Sequence, residues 1–145
     1  MIMVLLGGTK DAQERIVDDL MLCFKSRIQR LNVSHISSDK QRVRRLSVEI
    51  HAPHKPRQIT LVTGVKTAAE VTLLRNAGAV MAHIYGPLSS IYKEIVIDHA
   101  DLHITPLAPR IAVPPHVLTP EEAISKIHYR QRKKHQARNK SACAA

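Results

Sequence analysis

The sequence predicts an α/β domain with a mainly parallel sheet and helices on both of its faces. Short apolar runs alternate with amphipathic segments that carry helix-capping residues, a pattern typical of α/β proteins. The runs at 2–6 and 58–65 are almost continuously apolar, as in strands that are covered on both faces. A length of 145 residues fits one core of this kind.

The first half of the chain is predicted to begin with a strand over 2–6 and a helix over 11–31. The helix is predicted because apolar residues recur along one helical face up to Leu31. Asp11 and Glu14 are interpreted as its capping pair. The next segments are interpreted, in chain order, as a short strand (33–37), a basic loop (38–45) and a half-exposed strand (46–52).

The second half repeats the pattern more regularly. A strand over 58–65 precedes the capping box Thr67–Glu70, which opens a helix that stops at Gly78. Strands follow at 79–84 and 102–105. Thr119 to Glu122 form another capping box, which opens a helix that is amphipathic at first and wholly polar after Tyr129. The predicted organisation is an α/β domain over 1–125 and a basic helix or tail over 126–145.

Composition argues against several functional classes. The chain contains no apolar run of about 18 residues, and its apolar start is too short for a signal peptide. Cys23 and Cys143 form no motif, which favours reduced thiols and a cytoplasmic location. The nine histidines share no recognised ligand spacing with cysteines or carboxylates, so they are expected to be structural or solvated. No cofactor, metal or membrane partner is predicted.

The turn after the first strand is built like a phosphate-binding loop. Free backbone N–H groups and the helix dipole favour an anion at such a turn, although a plain tight turn is the alternative. A working loop reads G-x-x-x-x-G-K-[ST]; counted from Gly7, Gln13 stands at the lysine position, and Glu14 and Arg15 stand at the acidic or hydroxyl positions. The predicted phosphate-contacting residues are Gly7, Gly8, Lys10 and Lys66.

Two segments resemble the phage and bacterial deoxynucleoside monophosphate kinases, a phosphate-loop (P-loop) family. GGTKDAQERIVDDL is similar to its opening loop G-K-x-x-S-G-K-D-T-x-A-D-x-L. ITLVTGVKTAAEVTLLRNAGAVMAHI is similar to its segment I-x-D-V-R-x-x-N-E-A-x-x-I-R-x-x-G-G-x-V-x-x-I. DHADLHITP also resembles its closing strand. The residues in register are Gly7, Glu14, Asp18, Leu20, Val65, Glu70, Leu74, Arg75, Gly78, Val80 and Ile84. The resemblance implies a reduced, three-layer P-loop-like domain.

The same comparison implies impaired chemistry. Gly64 stands where the family has an aspartate, Lys66 where it has an arginine, and Ala69 where it has an asparagine. Only about 27 residues separate the first predicted helix from the strand at 58–65, so the region that in the family binds substrate and carries the arginine lid is missing. Phosphoryl transfer depends on positioning by lysine, Mg²⁺ and arginine.

The basic C-terminal segment is the other informative feature. Residues 126–140 contain seven Lys or Arg and no acid, and so carry most of the net charge of +10. Such a segment binds DNA or RNA through phosphates without reading sequence, unless it is simply solvated. The predicted nucleic-acid-contacting residues are Arg130, Arg132, Lys133, Lys134, Arg138 and Lys140.

The predicted function is therefore that of a catalytically impaired, kinase-like binding or accessory protein associated with nucleic acid. One alternative is an active nucleotide kinase, or a nucleotide-binding protein, in which Lys10 replaces the missing lysine and ATP with Mg²⁺ is bound. Another is a module that binds a protein partner. The sequence makes no prediction of the oligomeric state.

Overall fold

A computed structural model describes residues 1–86, 88–106 and 112–143. Its strands are β1 (Ile2–Leu6), β2 (Ile28–Asn32), β3 (Ile59–Thr63), β4 (Val80–Ile84) and β5 (Leu102–Ile104). Its α-helices are α1 (Lys10–Phe24), α2 (Asp39–His51), α3 (Ala68–Asn76) and α4 (Pro120–Cys143). Short 3-10 turns occur at Lys25–Arg27 and Ser90–Lys93.

The five strands form one parallel sheet in the order β2-β3-β1-β4-β5. In the centre of the sheet, Val4 lies opposite Val62 on one side and Met81 on the other. The strands predicted at 2–6, 58–65 and 79–84 are present as β1, β3 and β4, and the predicted parallel sheet is confirmed.

Helices cover both faces of the sheet. On one face, Met3 and Leu5 of β1 pack in a core with side chains of α1 and α4. On the other face, Val4 and Leu6 pack with side chains of α2 and α3. Because alternate residues of a strand point to opposite faces, a strand between two cores must be apolar throughout. This explains the run IMVLL and confirms the α/β class.

The predicted helix over 11–31 is too long. α1 ends at Phe24, and Lys25 follows with a φ of 48°, outside the helical region. Residues 28–32 then form β2, which pairs with β3. Ile28 and Leu31, whose spacing suggested one helical face, instead belong to the two opposite cores.

The predictions for 33–52 are also wrong. Residues 33–37 form a turn, in which the Ile36 N–H donates to the Val33 carbonyl over 3.1 Å. The predicted loop and strand over 38–52 are mostly one helix, α2, which begins after Ser38. Leu46 and Ile50 lie one turn apart and pack in the same core, whereas Val48 is 58% exposed. The apolar and polar residues of this segment therefore alternate because they lie on the buried and exposed sides of a helix, not on the two faces of a strand.

The second half agrees with the sequence more closely. The capping box of Thr67 and Glu70 is present at α3, and Gly78 follows that helix with a φ of 84°. At α4, the Glu122 N–H donates to Thr119 Oγ1 and the Thr119 N–H donates to Glu122 Oε2. α4 continues through the predicted domain boundary at 125/126, and residues 144–145 of the predicted tail lie outside the described residues.

A search for membrane-spanning helices was negative. None of the helices in the described part of the chain combines the length and the apolar character needed to cross a bilayer.

Candidate functional site

The two glycines after β1 adopt conformations that other residues disfavour. Gly7 has a φ of 76° and Gly8 a φ of 67°. A Cβ atom on Gly7 would lie 2.7 Å from Tyr92 Oη, and one on Gly8 would lie 2.7 Å from Ile84 Cγ2. The turn therefore requires glycine for its backbone angles and for close packing.

Thr9 and Gln13 hold the start of α1. Thr9 is the N-cap, because its side chain accepts from the Ala12 N–H over 3.1 Å. The predicted capping pair of Asp11 and Glu14 is therefore wrong. Gln13, at the position of the phosphate-loop lysine, donates from Nε2 to the Gly7 carbonyl over 2.9 Å. Its side chain thus closes the loop on itself.

Glu14 has another role, in an ion pair with Arg30 of β2. Arg30 Nη1 donates to Glu14 Oε2 over 2.9 Å, and Nη2 contacts Oε1. The hydrogen bond from Arg30 holds the pKa of Glu14 below its usual range, and the charges of Arg30 and Lys10 act in the same direction. This carboxylate neutralises part of the positive charge near the loop.

A crevice of about 340 Å³ opens beside the loop, at the carboxyl ends of the strands. β1 and β3 are neighbours, but the helices that follow them, α1 and α3, lie on opposite faces of the sheet. The crevice opens at this point, where open α/β sheets usually bind their ligands. Lys10, Arg30 and Thr63 line it. Among the described residues, the buried Arg30 Nε and Thr63 Oγ1 have no hydrogen-bond partner. Polar atoms of this kind are commonly satisfied by water or by a ligand.

The predicted phosphate-contacting residues occupy two neighbouring loops. Gly7 and Gly8 form the β1–α1 turn, Lys10 is the first residue of α1, and Lys66 lies in the turn after β3, the strand paired with β1. Lys10 is exposed and lines the crevice. Lys66 Nζ donates to the Ser34 carbonyl over 3.1 Å, which ties its ammonium group to the protein.

A buried polar network that the sequence did not predict lies on the other side of β1. His83 contacts Tyr92 Oη through Nδ1 (2.8 Å) and Asp101 Oδ2 through Nε2 (2.7 Å). Arg75 donates to both carboxylate oxygens of Asp101, over 2.8 and 2.7 Å. These residues are far apart in sequence and form no motif, so no local signal could have found the network.

The network ends at the glycine turn and supports it. Tyr92 Oη donates to the Leu6 carbonyl over 3.3 Å, immediately before Gly7. Burial and the charge of Asp101 raise the pKa of Tyr92 to about 12. Burial also raises the pKa of Asp101, but hydrogen bonds from Arg75 and His83 outweigh it and keep that pKa below its usual value. Tyr92 is therefore a neutral donor that positions the turn, and its geometry does not suit a nucleophile.

Two further histidines, His103 and His116, form ring contacts near β5. His103 lies between His83 and His116, with ring centroids 5.8 and 5.4 Å away. Within the described ranges, no group of three or more His, Cys, Asp or Glu is arranged to hold a metal ion.

The predicted nucleic-acid-contacting residues fall into four environments along α4. Arg130 is tied to the body, because Nη1 donates to the Ala100 carbonyl over 2.8 Å. Arg132 lines a basic cleft near Arg27 and Arg57. Lys133 Nζ lies 5.0 Å from the centroid of the Tyr129 ring. The others, Lys134, Arg138 and Lys140, are exposed.

Comparisons with known proteins identify no relative. No protein-family model, curated protein or solved structure matches the chain. The kinase-like resemblance consequently rests on the residues quoted above.

Proposed function

We propose that this protein binds nucleic acid through the exposed end of α4 and serves as an accessory protein on a P-loop-like scaffold that does not transfer phosphoryl groups. The proposal rests on the exposure and charge of residues 131–143 of α4, which we call the arm. All thirteen are exposed, and they include five Lys or Arg and no acid. A helix that is polar on every side gains little from packing on its own domain.

The dimensions of the arm suit a phosphate backbone. Thirteen helical residues extend about 20 Å. B-DNA carries one charge per roughly 1.7 Å of its axis, so the arm can meet several phosphates at once. Tyr129 is the one Phe, Tyr or Trp between residues 126 and 145, which favours contact with the backbone over base stacking.

The lack of phosphoryl transfer is proposed from the glycine loop. The loop has no lysine or hydroxyl at the two positions that contact phosphates and Mg²⁺ in working loops, and Gln13 is bonded to the Gly7 carbonyl. Catalysis of this reaction consists almost entirely of positioning and charge neutralisation, so those side chains cannot be dispensed with.

A truncation after Tyr129 tests the arm. The buried anchors of α4, Ala123, Ile124 and Ile127, lie before the cut, so circular dichroism should show an intact fold. The full chain should bind DNA or RNA of any sequence with a log–log salt slope on the order of −3 to −5, and the truncated chain should not bind. Equal binding by both proteins would refute the proposal, as would loss of a protein partner on truncation with nucleic-acid binding unchanged.

A nucleotide in the crevice is the second candidate, and one observation favours it. Thr63 Oγ1 and Arg30 Nε are buried there without partners, beside the exposed cation Lys10. Titration calorimetry with ATP and deoxynucleoside monophosphates, with and without Mg²⁺, tests it. Micromolar binding that Lys10→Gln and Thr63→Val each weaken would support a nucleotide site. The absence of a binding signal with ATP and with every deoxynucleoside monophosphate would exclude a nucleotide site.

A further inference from the structure

A second basic surface lies at the amino ends of the strands, whereas the glycine loop lies at their carboxyl ends. It is a cleft of about 760 Å³ between α4 and the turns that precede β2 and β3. Three arginines (Arg27, Arg57 and Arg132), two histidines (His128 and His135) and two glutamines line it. No acidic side chain is among these lining residues.

The path of α4 creates this cleft. The helix starts at the carboxyl edge of the sheet, where Leu118 is bridged to Ile104 at the end of β5. It then packs against α1 through Ile124 and Ile127 and reaches the amino ends of the strands near His128. From there the arm overhangs Arg27 and Arg57, so one wall of the cleft is the arm and the other is the body.

Contacts hold the Arg27 side chain and join it to the Arg57 backbone. Arg27 Nε donates to the Arg57 carbonyl over 3.1 Å, and the Arg27 guanidinium lies 5.5 Å from the centroid of the Phe24 ring. Arg57 has a φ of 65°, a left-handed conformation that favours glycine. Strained backbone of this kind is concentrated at functional sites.

The cleft concentrates positive charge. Burial lowers the pKa of His128, and the charges of Arg27, Arg132 and the chain amino terminus lower it further. Burial, together with the surrounding cations, thereby favours the neutral form of His128. An anion entering the cleft would relieve this mutual repulsion.

We propose that the cleft binds the phosphodiester backbone of a nucleic acid and continues the contact made by the arm onto the body of the protein. The inference rests on the proposed function and deepens it. Guanidinium groups pair with phosphate oxygens in a two-pronged geometry, and the glutamines supply further donors. No Phe, Tyr or Trp is among the lining residues, so the cleft is better suited to contact with the backbone than to base stacking. Duplex is therefore the expected form.

The test removes charge from the body wall and leaves the arm whole. Fluorescence anisotropy would measure binding of a labelled 20-base-pair DNA duplex, an RNA duplex of that length and the matching single strands across a range of salt. The variant is Arg27→Gln with Arg57→Gln. The matched control is Lys40→Gln with Arg44→Gln, which removes the same charge from two exposed positions on α2, across the sheet.

Loss of two phosphate contacts should make the salt slope shallower by about 1.8 and weaken duplex binding roughly 60-fold at 0.1 M salt. The control should stay within about threefold of the unmodified protein, since charges remote from the contact act only through screened fields. Arg27→Lys with Arg57→Lys should keep the slope if charge at these positions is what matters. Circular dichroism of every variant checks the fold.

The outcomes separate the cleft from the arm. Equal slopes for the Arg27/Arg57 variant and its control would overturn the cleft proposal, while loss of binding on neutralising Lys133, Lys134, Arg138 and Lys140 would still support the arm. A shallower slope for the Arg27/Arg57 variant, with unchanged binding after neutralisation of the four arm residues, would support the cleft proposal and overturn the arm proposal. Single strands bound more tightly than duplex would overturn the duplex assignment, and no binding of any nucleic acid would overturn both proposals.

Discussion

Arg42 and Glu70 form an ion pair in which both side chains are almost completely buried. Arg42 Nε donates to Glu70 Oε1 over 2.7 Å, and the side chains are 3% and 0% exposed. Burial lowers the pKa of Arg42, but hydrogen bonds and charge from Glu70 outweigh this and raise it above its ordinary value. Glu70 also accepts from the Thr67 N–H over 2.7 Å, so one carboxylate joins α2 to the start of α3.

Glu70→Gln should destabilise the protein by about 3 kcal/mol, because it leaves the Arg42 charge buried without its main partner. Urea unfolding would measure the loss. The matched control is Glu49→Gln, which breaks the pair with the largely exposed Arg45 and should change stability by only about 0.3–0.5 kcal/mol. A loss for Glu70→Gln as small as that of the control would show that the buried pair contributes little.

Gly7→Ala should destabilise the protein more than Gly78→Ala does. Both glycines have positive φ, which costs alanine roughly 1–2 kcal/mol. A Cβ atom on Gly7 would also collide with Tyr92, whereas none of the described atoms lies within 4 Å of a Cβ atom on Gly78. Gly7→Ala therefore adds an overpacking penalty of about 1–3 kcal/mol. In a thermal unfolding series, Tyr92→Ala should remove much of that added penalty. Equal costs at the two glycines would contradict the tight packing of Tyr92 on the turn.

The folded protein should lose stability on mild acidification. Burial, and then the charges of His83 and His116, lower the pKa of His103 below its ordinary 6.5. The unfolded chain therefore binds a proton at His103 more readily than the folded protein does. The stability that neutral His103 contributes is complete above about pH 6.5 and is lost as the pH falls towards the lower pKa of the folded state. NMR titration should place the pKa of His103 below 6.5 and show it rising in His116→Gln. A pKa of His103 above 6.5, or one unchanged by that substitution, would exclude this coupling.

The protein should not phosphorylate nucleoside monophosphates. Gln13 and Arg15 replace the lysine and the hydroxyl that the reaction uses, so a steady-state assay with ATP, Mg²⁺ and each deoxynucleotide should stay at background. Turnover near 1 s⁻¹, at the low end of typical kinase rates, would contradict this prediction. Lys10→Ala would then show whether the exposed lysine of the turn replaces the missing one.

Local signals account for the parts of the fold that were predicted correctly. β1, β3 and β4 are short, mostly apolar runs, and β1 and β3 are followed directly by glycine. The capping boxes at Thr67 and Thr119 need only four consecutive residues. The positions of Gly7, Gly8 and Lys10 between the end of β1 and the start of α1 could likewise be predicted, because these residues follow a strand closely.

Residues 25–52 could not be predicted, because their structure depends on distant partners. Arg30 lies in β2 because that segment pairs with β3 and because its guanidinium meets Glu14 of α1. The polar stretch at 38–45 looked like a loop, yet Arg42 within it makes the buried pair with Glu70. A charged residue can occupy a core only where its counterion is already in place.

The sequence by itself determined the α/β class, the central strands, the capped starts of α3 and α4, and the basic character of the arm. Each of these is encoded within a few residues by apolar runs, by capping side chains or by charge count. Only the tertiary structure decided that Gln13 closes its own loop, that His83 joins Tyr92 to Asp101, and that Arg27, Arg57 and Arg132 share one cleft. The physical reason is that hydrogen bonds and electrostatic fields act over a few ångströms in space, whatever the separation of the residues along the chain.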